Sequence, residues 1–275
     1  MSKTLSDVCE MIALPEEMTE KVLTFAKEYD RAITAPFLAT LSQPETWKHS
    51  IEQITTRLGE DPDGCKMLTV MLLCAVDAYE EYQKRGMSEK IFVDTMKFCA
   101  RFTQEHYQVH GCYAFTWGWW FPRQISLHEF RIGALEYEMI VKEGEKLINI
   151  HIPADADMTR EVLRKSYLEA REFFKKFFPD YGQAEMVCDS WLLAPFLREL
   201  LPESSRILGF QNAFDVIRVD ETSNGCIRWV YGRTDLPYPE LAEKTSLQKK
   251  IKACLLEGRS IGEAYGKLQK DPWKE

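Results

Sequence analysis

The chain has 275 residues, 45% of them hydrophobic and 28% charged. That much apolar material offsets chain entropy and excludes a disordered chain, and the length suits one large domain or two small ones. Lys and Arg number 35 against 43 Asp and Glu, so the formal charge is −8, which argues against nonspecific binding to nucleic acid.

The first half reads as helices. Met18, Val22, Leu23 and Phe25 form a helical stripe over residues 16–29. Trp47, Ile51, Ile54 and Leu58 recur at helical spacing after Pro44, and Gly59 is a natural stop. Residues 65–84 predict a long helix, apolar almost all round in its first half and therefore central and buried. Its near-apolar run, residues 67–76, is well short of the ~20 residues that span a membrane. Gly86 ends it, and Ser88 caps a helix predicted to run to residue 108, closed by Gly111.

At residue 113 the pattern changes to an aromatic run, YAFTWGWWFP. Trp117–Phe121 suits either packing between domains or an apolar wall for a substrate. Strand-like runs follow at 125–132, 134–141 and 147–153, the last two joined by the polar turn KEGEK at 142–146. In the third run Ile148, Ile150 and Ile152 face one way and Asn149 and His151 the other. The best helical pattern covers 160–178, with Thr159 as N-cap and Val162, Leu163, Ser166, Tyr167, Ala170, Phe173, Phe174 and Phe177 inward. Glu161–Lys165 and Glu172–Lys176 are i,i+4 pairs on its wet face, and Pro179 ends it. Then come a strand at 185–191, a short helix at 194–201, and strands at 205–219 and 226–231 about a TSNG turn. A helix at 246–256 is the last element.

The strand–helix–strand unit joins parallel neighbours, and the hairpins beside it are antiparallel. The expected class is α+β with a mixed sheet: a helical N-terminal domain over 1–122 and a sheet domain over 123–275. The N-terminus MSKTLSDVCEMIALPEE has no secretory core, and the eight cysteines show neither CxxC nor zinc spacing with His. A cytoplasmic protein with free thiols and no metal is expected, without a membrane or nucleic-acid partner. Residues 244–275 carry eight Lys and Arg against four Asp and Glu, while the first thirty carry three against seven. This basic tail suits either a phosphate ligand or the acidic N-terminal segment.

The segments RIGALEYE (131–138), INIHIPADA (148–156), CDSWLLAP (188–195), ILGFQNAF (207–214) and LPYPELAEKTSLQKKI (236–251) give the chain a resemblance to a bacterial family. The second half resembles the GNAT-like C-terminal acyltransferase domain, which follows a helical N-acyltransferase N-terminal domain. The resemblance implies a GNAT-like sheet in which acyl-CoA, acetyl-CoA above all, lies where two parallel strands part. It implies N-acyl transfer from that cosubstrate to a small-molecule or peptide amine. Main-chain amides near Ile150 and Ile152 would then polarise the carbonyl, and the helix start at Thr159 and Arg160 would meet the diphosphate. The glycine-rich loop usual at that place is missing: PADADMT (153–159) has no glycine and two aspartates.

His151 is the leading candidate for the base, since an imidazole titrates near neutrality and sits at the ligand end of its strand. Glu138, on the neighbouring strand, would act through water or orient His151. Ser190 would hold substrate or protonate the leaving thiolate; Trp191 and Gln211 are assigned to the substrate. Two other readings stay open. One is an inactive GNAT-like binding or regulatory module, motivated by the missing loop. The other is a hydrolase in which His151 activates Ser190 or Cys188.

Overall fold

The computed structural model describes residues 3–273, which divide between residues 131 and 132 into two compact units. The first is helical. Helix α1 (Leu5–Met11) opens on a capping box in which Thr4 and Asp7 exchange hydrogen bonds. Then follow α2 (Glu16–Glu28), α3 (Ala35–Leu38), α4 (Trp47–Leu58), α5 (Cys65–Lys84), α6 (Glu89–Met96), α7 (Phe98–His110) and α8 (Pro122–Ile125). As the apolar run predicts, α5 is central: it packs against α1, α2, α4, α6 and α8, and Leu68, Val70, Met71, Leu72 and Ala75 are inaccessible. The single helix expected over 88–108 is two, broken at Lys97. Within this unit Trp117 stacks on Phe102 and Trp119, at 4.2 and 5.4 Å between centroids.

Strand β1 (Glu129–Ile132), in which the boundary between units falls, is the outermost of six strands in the order β1-β2-β3-β4-β6-β5. The others are β2 (Leu135–Lys142), β3 (Glu145–His151), β4 (Glu185–Ser190), β5 (Phe214–Asp220) and β6 (Glu263–Leu268). β2 and β3 form the expected hairpin, with Lys142 opposite Glu145. The two turn residues, Glu143 and Gly144, both have positive φ (54° and 85°), the backbone that a two-residue hairpin demands. Helix α9 (Arg160–Phe177) connects β3 to β4, and those two strands are parallel. β6 lies antiparallel between β4 and β5. The sheet is therefore mixed.

The C-terminal part differs from the sequence expectation. Residues 226–231 are not a strand but helix α12 (Cys226–Tyr231), and 206–211 form α11 (Arg206–Gln211), so only the β-branched end of the expected 205–219 strand is β5. The short helix expected at 194–201 is α10 (Leu197–Leu200), and the terminal helix is α13 (Ser246–Leu256). A six-residue apolar run carries both periods equally well, and tertiary packing decides. Cys226 and Tyr231 turn inward onto Leu241, Ile251 and Cys254, a cluster that only a helix at 226–231 completes. The sheet position expected for that run is filled by β6, whose sequence EAYGKL holds a glycine and a lysine and carries little strand signal. The run expected at 125–132 likewise splits, into the end of α8 and β1.

One face of α9 is buried through Leu163, Ser166, Tyr167, Ala170, Phe173 and Phe174. Ser166 Oγ donates to the Ile132 carbonyl and lies 2.8 Å from the Tyr137 hydroxyl, which donates to it. The adjacent Gly133 (φ 64°) leaves room: a Cβ there would stand 3.1 Å from Ser166. Burial pushes the Tyr137 phenol far up, so it stays a donor. Ser166→Ala takes a partner from two buried groups at once. It should lower unfolding stability by about 2 kcal/mol, read as a lower urea midpoint at unchanged slope.

Candidate functional site

The parallel ladder between β3 and β4 has three rungs: Leu147–Glu185, Ile148–Met186 and Asn149–Val187. It stops there, although β3 runs on to His151 and β4 to Ser190. Each strand keeps its outer partner over that stretch, since His151 is opposite Glu136 of β2 and Ser190 opposite Ala264 of β6. The strands thus part at their C-terminal ends while each remains anchored. Ile150 and Ile152, the residues expected to offer carbonyl-binding amides, lie beyond the last rung, Ile150 with its side chain buried.

Side-chain alternation sorts the residues around this parting. Asn149 pairs with Val187 across β3 and β4 and with Glu138 across β3 and β2. Glu138, Asn149, His151 and Asp189 therefore share one face. Ile148, Ile150, Cys188 and Ser190 point to the other, where Tyr137 meets Ser166 of α9.

His151 Nε2 lies 2.9 Å from Glu138 Oε2, and the Glu138 side chain is only 8% exposed. A buried carboxylate at that distance orders the imidazole. With Nε2–H donated to Glu138, a neutral ring carries its lone pair on Nδ1. The Asn149 amide nitrogen stands 3.3 Å from the same Nε2. Asn149 had no role in the sequence reading; its signal was its place two residues before His151 on the same strand face. The expected contact between Glu138 and His151 is present.

The other residues lie elsewhere. Ser190 Oγ accepts from the Leu192 N–H at 3.2 Å, capping the turn after β4, on the face away from His151. Trp191 packs against the cluster of Ala194, Leu197 and Tyr231. Gln211 is buried and donates to the Leu192 and Ala194 carbonyls at 2.9 and 3.0 Å, so its amide braces the chain after β4. Thr159 is the N-cap of α9, but its side chain accepts no cap hydrogen bond; its own N–H donates to Asp157 at 3.0 Å. Asp157 also stands 3.6 Å from Arg206, which offsets one of the two loop aspartates. Arg160 opens α9, and a shallow groove follows the helix past Arg160, Arg164, Lys165 and Leu168.

Residues 128–268 match the model of the GNAT-like C-terminal domain, and residues 3–127 that of the N-acyltransferase N-terminal domain. The chain belongs to the GNAT-like family. Its two halves are those of an acyltransferase. Solved acyltransferase structures share its fold. One, in complex with decanoyl-CoA and teicoplanin, has a TM-score of 0.80 at 19% identity, over 96% of this chain and 87% of that one. Another, with decanoyl-CoA, has a TM-score of 0.76 at 21% identity, over 95% and 86%. A mutant acyltransferase with octanoyl-CoA gives 0.80 at 18% identity, over 96% and 87%. No curated protein matches the chain. Among the described residues no helix is long and apolar enough to cross a membrane.

In this GNAT-like domain the hydrolase arrangement fails on geometry, because His151 and the pair Cys188 and Ser190 occupy opposite faces of the sheet. Burial also pushes the Cys188 thiol far above the ordinary range, with Asp189 adding to the shift, so it holds no thiolate at neutral pH. Iodoacetamide at pH 8 should alkylate exposed Cys112 in the native protein and leave Cys188 unmodified until denaturant is added. Peptide mass spectrometry reads this, and early label on Cys188 would contradict the buried placement.

Proposed function

We propose that the chain is a CoA-dependent N-acyltransferase whose acyl donor enters the parting between β3 and β4. The observation that carries this reading is the ladder that ends at Asn149–Val187 beside the ordered His151–Glu138 pair. A sheet amide can bind a carbonyl oxygen only where the next strand has moved away, and here it has. The helix start at Thr159–Arg160, uncapped by a side chain, presents main-chain N–H groups and the positive end of the α9 dipole to the CoA diphosphate. This does without the glycine-rich loop.

The reaction is a direct transfer. His151 Nδ1 takes a proton from the acceptor's ammonium, directly or through one water, and Glu138 stabilises the imidazolium that forms. The freed amine attacks the thioester carbonyl, a C–N bond forms and the C–S bond breaks. CoA leaves as thiolate, the second proton shed by the attacking nitrogen passes to that thiolate by way of solvent, the imidazolium returns its proton to solvent, and the acyl group stays on nitrogen as an amide.

For the acyl group we propose a medium-length chain rather than acetyl. The relatives of the same fold were crystallised with decanoyl- and octanoyl-CoA, which supports the longer chain. For the acceptor we propose a primary amine on a small molecule or peptide, in keeping with the teicoplanin bound to one of them.

Release of CoA thiol tests the reading. Decanoyl-CoA with a panel of amines, glycopeptides included, should be consumed faster than acetyl-CoA. His151→Asn should lower kcat/KM by about 10²–10⁴-fold and leave the CoA affinity within a factor of two. No turnover with any acyl-CoA would refute the proposal.

Glu138→Gln makes a separate prediction. An amide in place of the carboxylate cannot stabilise the imidazolium that forms, so kcat/KM should fall by about tenfold or more while CoA affinity is unchanged. An unchanged kcat/KM would mean that Glu138 does not act on His151.

A further inference from the structure

The two segments that leave the parted strand ends are the loop into α9 and the chain from Trp191 into α11. The helices these segments lead into, α9 and α11, are in contact, and a side chain of this protein is fixed to both. The Trp273 indole stacks on Tyr167 of α9, centroids 6.0 Å apart and planes at 27°. Its Nε1 donates to the Gly209 carbonyl of α11 at 3.2 Å. Its own carbonyl accepts from the Arg160 guanidinium, which also stands 5.8 Å from the indole ring. One residue near the C-terminal end therefore bridges α9 and α11 and engages the cation at the start of α9.

Two features mark this as a held position. Trp273 has φ 65°, a left-handed backbone that costs a bulky residue energy and persists only where surrounding contacts fix it. Beneath it, Tyr167 is 2% exposed, and its hydroxyl finds no hydrogen-bond partner among the described residues. A buried hydroxyl without a partner is costly, and a ligand carrying amides, as pantetheine does, would relieve it.

We propose that Trp273 is a latch that occupies the mouth of the acyl-CoA site, so that latch and cosubstrate exclude each other. This rests on the acyl-CoA reading above. Arg160 serves the latch when the site is empty and the diphosphate when it is filled. The affinity measured for the full chain is then the intrinsic affinity reduced by the fraction of unlatched molecules, about tenfold if one molecule in ten is open.

The test measures CoA and decanoyl-CoA binding to wild type, Trp273→Ala and Trp273→Phe by titration calorimetry. Wild type uniformly labelled with 5-fluorotryptophan is followed by ¹⁹F NMR, with the Trp273 resonance assigned by Trp273→Phe. Trp273→Ala should bind about 3- to 10-fold tighter. Trp273→Phe, which keeps the stack and loses the bond to Gly209, should fall between it and wild type. The Trp273 resonance should shift on saturation with CoA. Equal affinities with an unmoved resonance overturn the latch, and so does weaker binding by Trp273→Ala, which would make the indole a ligand-binding surface. In both of those cases wild type still binds CoA. Failure of all three proteins to bind instead overturns the acyl-CoA reading, and the latch with it.

Discussion

Two parallel strands that share only three rungs set the terms for the rest of this domain. A parallel pair that stops early leaves main-chain donors and acceptors without strand partners in the middle of a sheet, an arrangement normally avoided. It is tolerable here because each strand is held on its far side to its end. β3 is tied to β2 as far as His151, and β4 to β6 as far as Ser190. The parting is a seam between two ribbons, each anchored along its outer edge.

What lies behind the seam stiffens it. The aromatic face of α9, with Phe173 and Phe174 in edge contact at 5.4 Å, is buried, and Ser166 ties the helix to Tyr137 and to the backbone at Ile132. Gln211 does similar work after β4, since its buried amide holds the carbonyls of Leu192 and Ala194. A glutamine in that role removes itself from substrate contact. The position assigned to it by resemblance and the position given by its hydrogen bonds are different, and both amide protons are already spent on the protein.

The parts of the fold legible in the sequence were those with a long single period or a distinctive turn. Helix α9 with its inward aromatics, central α5 and the KEGEK hairpin were each readable from one local stretch of sequence. So was the contact between Glu138 and His151, because strand alternation put both on the polar side of a common hairpin. The C-terminal third was not readable in the same way. The run at 226–231 is too short for its period to tell helix from strand, and β6 has a glycine and two charged residues in six. Its strand identity comes from sitting between β4 and β5, a long-range fact that no local window contains. Trp273 was invisible for a similar reason: its partners lie 64 and 113 residues away in the chain.

The division of the sheet into an imidazole side and a thiol side governs the order of events in the proposed reaction. Cys188 and Ser190 are turned away from His151, so neither is activated by it to hold the acyl group between donor and acceptor. In the proposed direct transfer both substrates occupy the enzyme together, in a ternary complex. Steady-state kinetics of such an enzyme give intersecting rather than parallel double-reciprocal lines. They also free its acceptor side to change shape without disturbing how the cosubstrate is held.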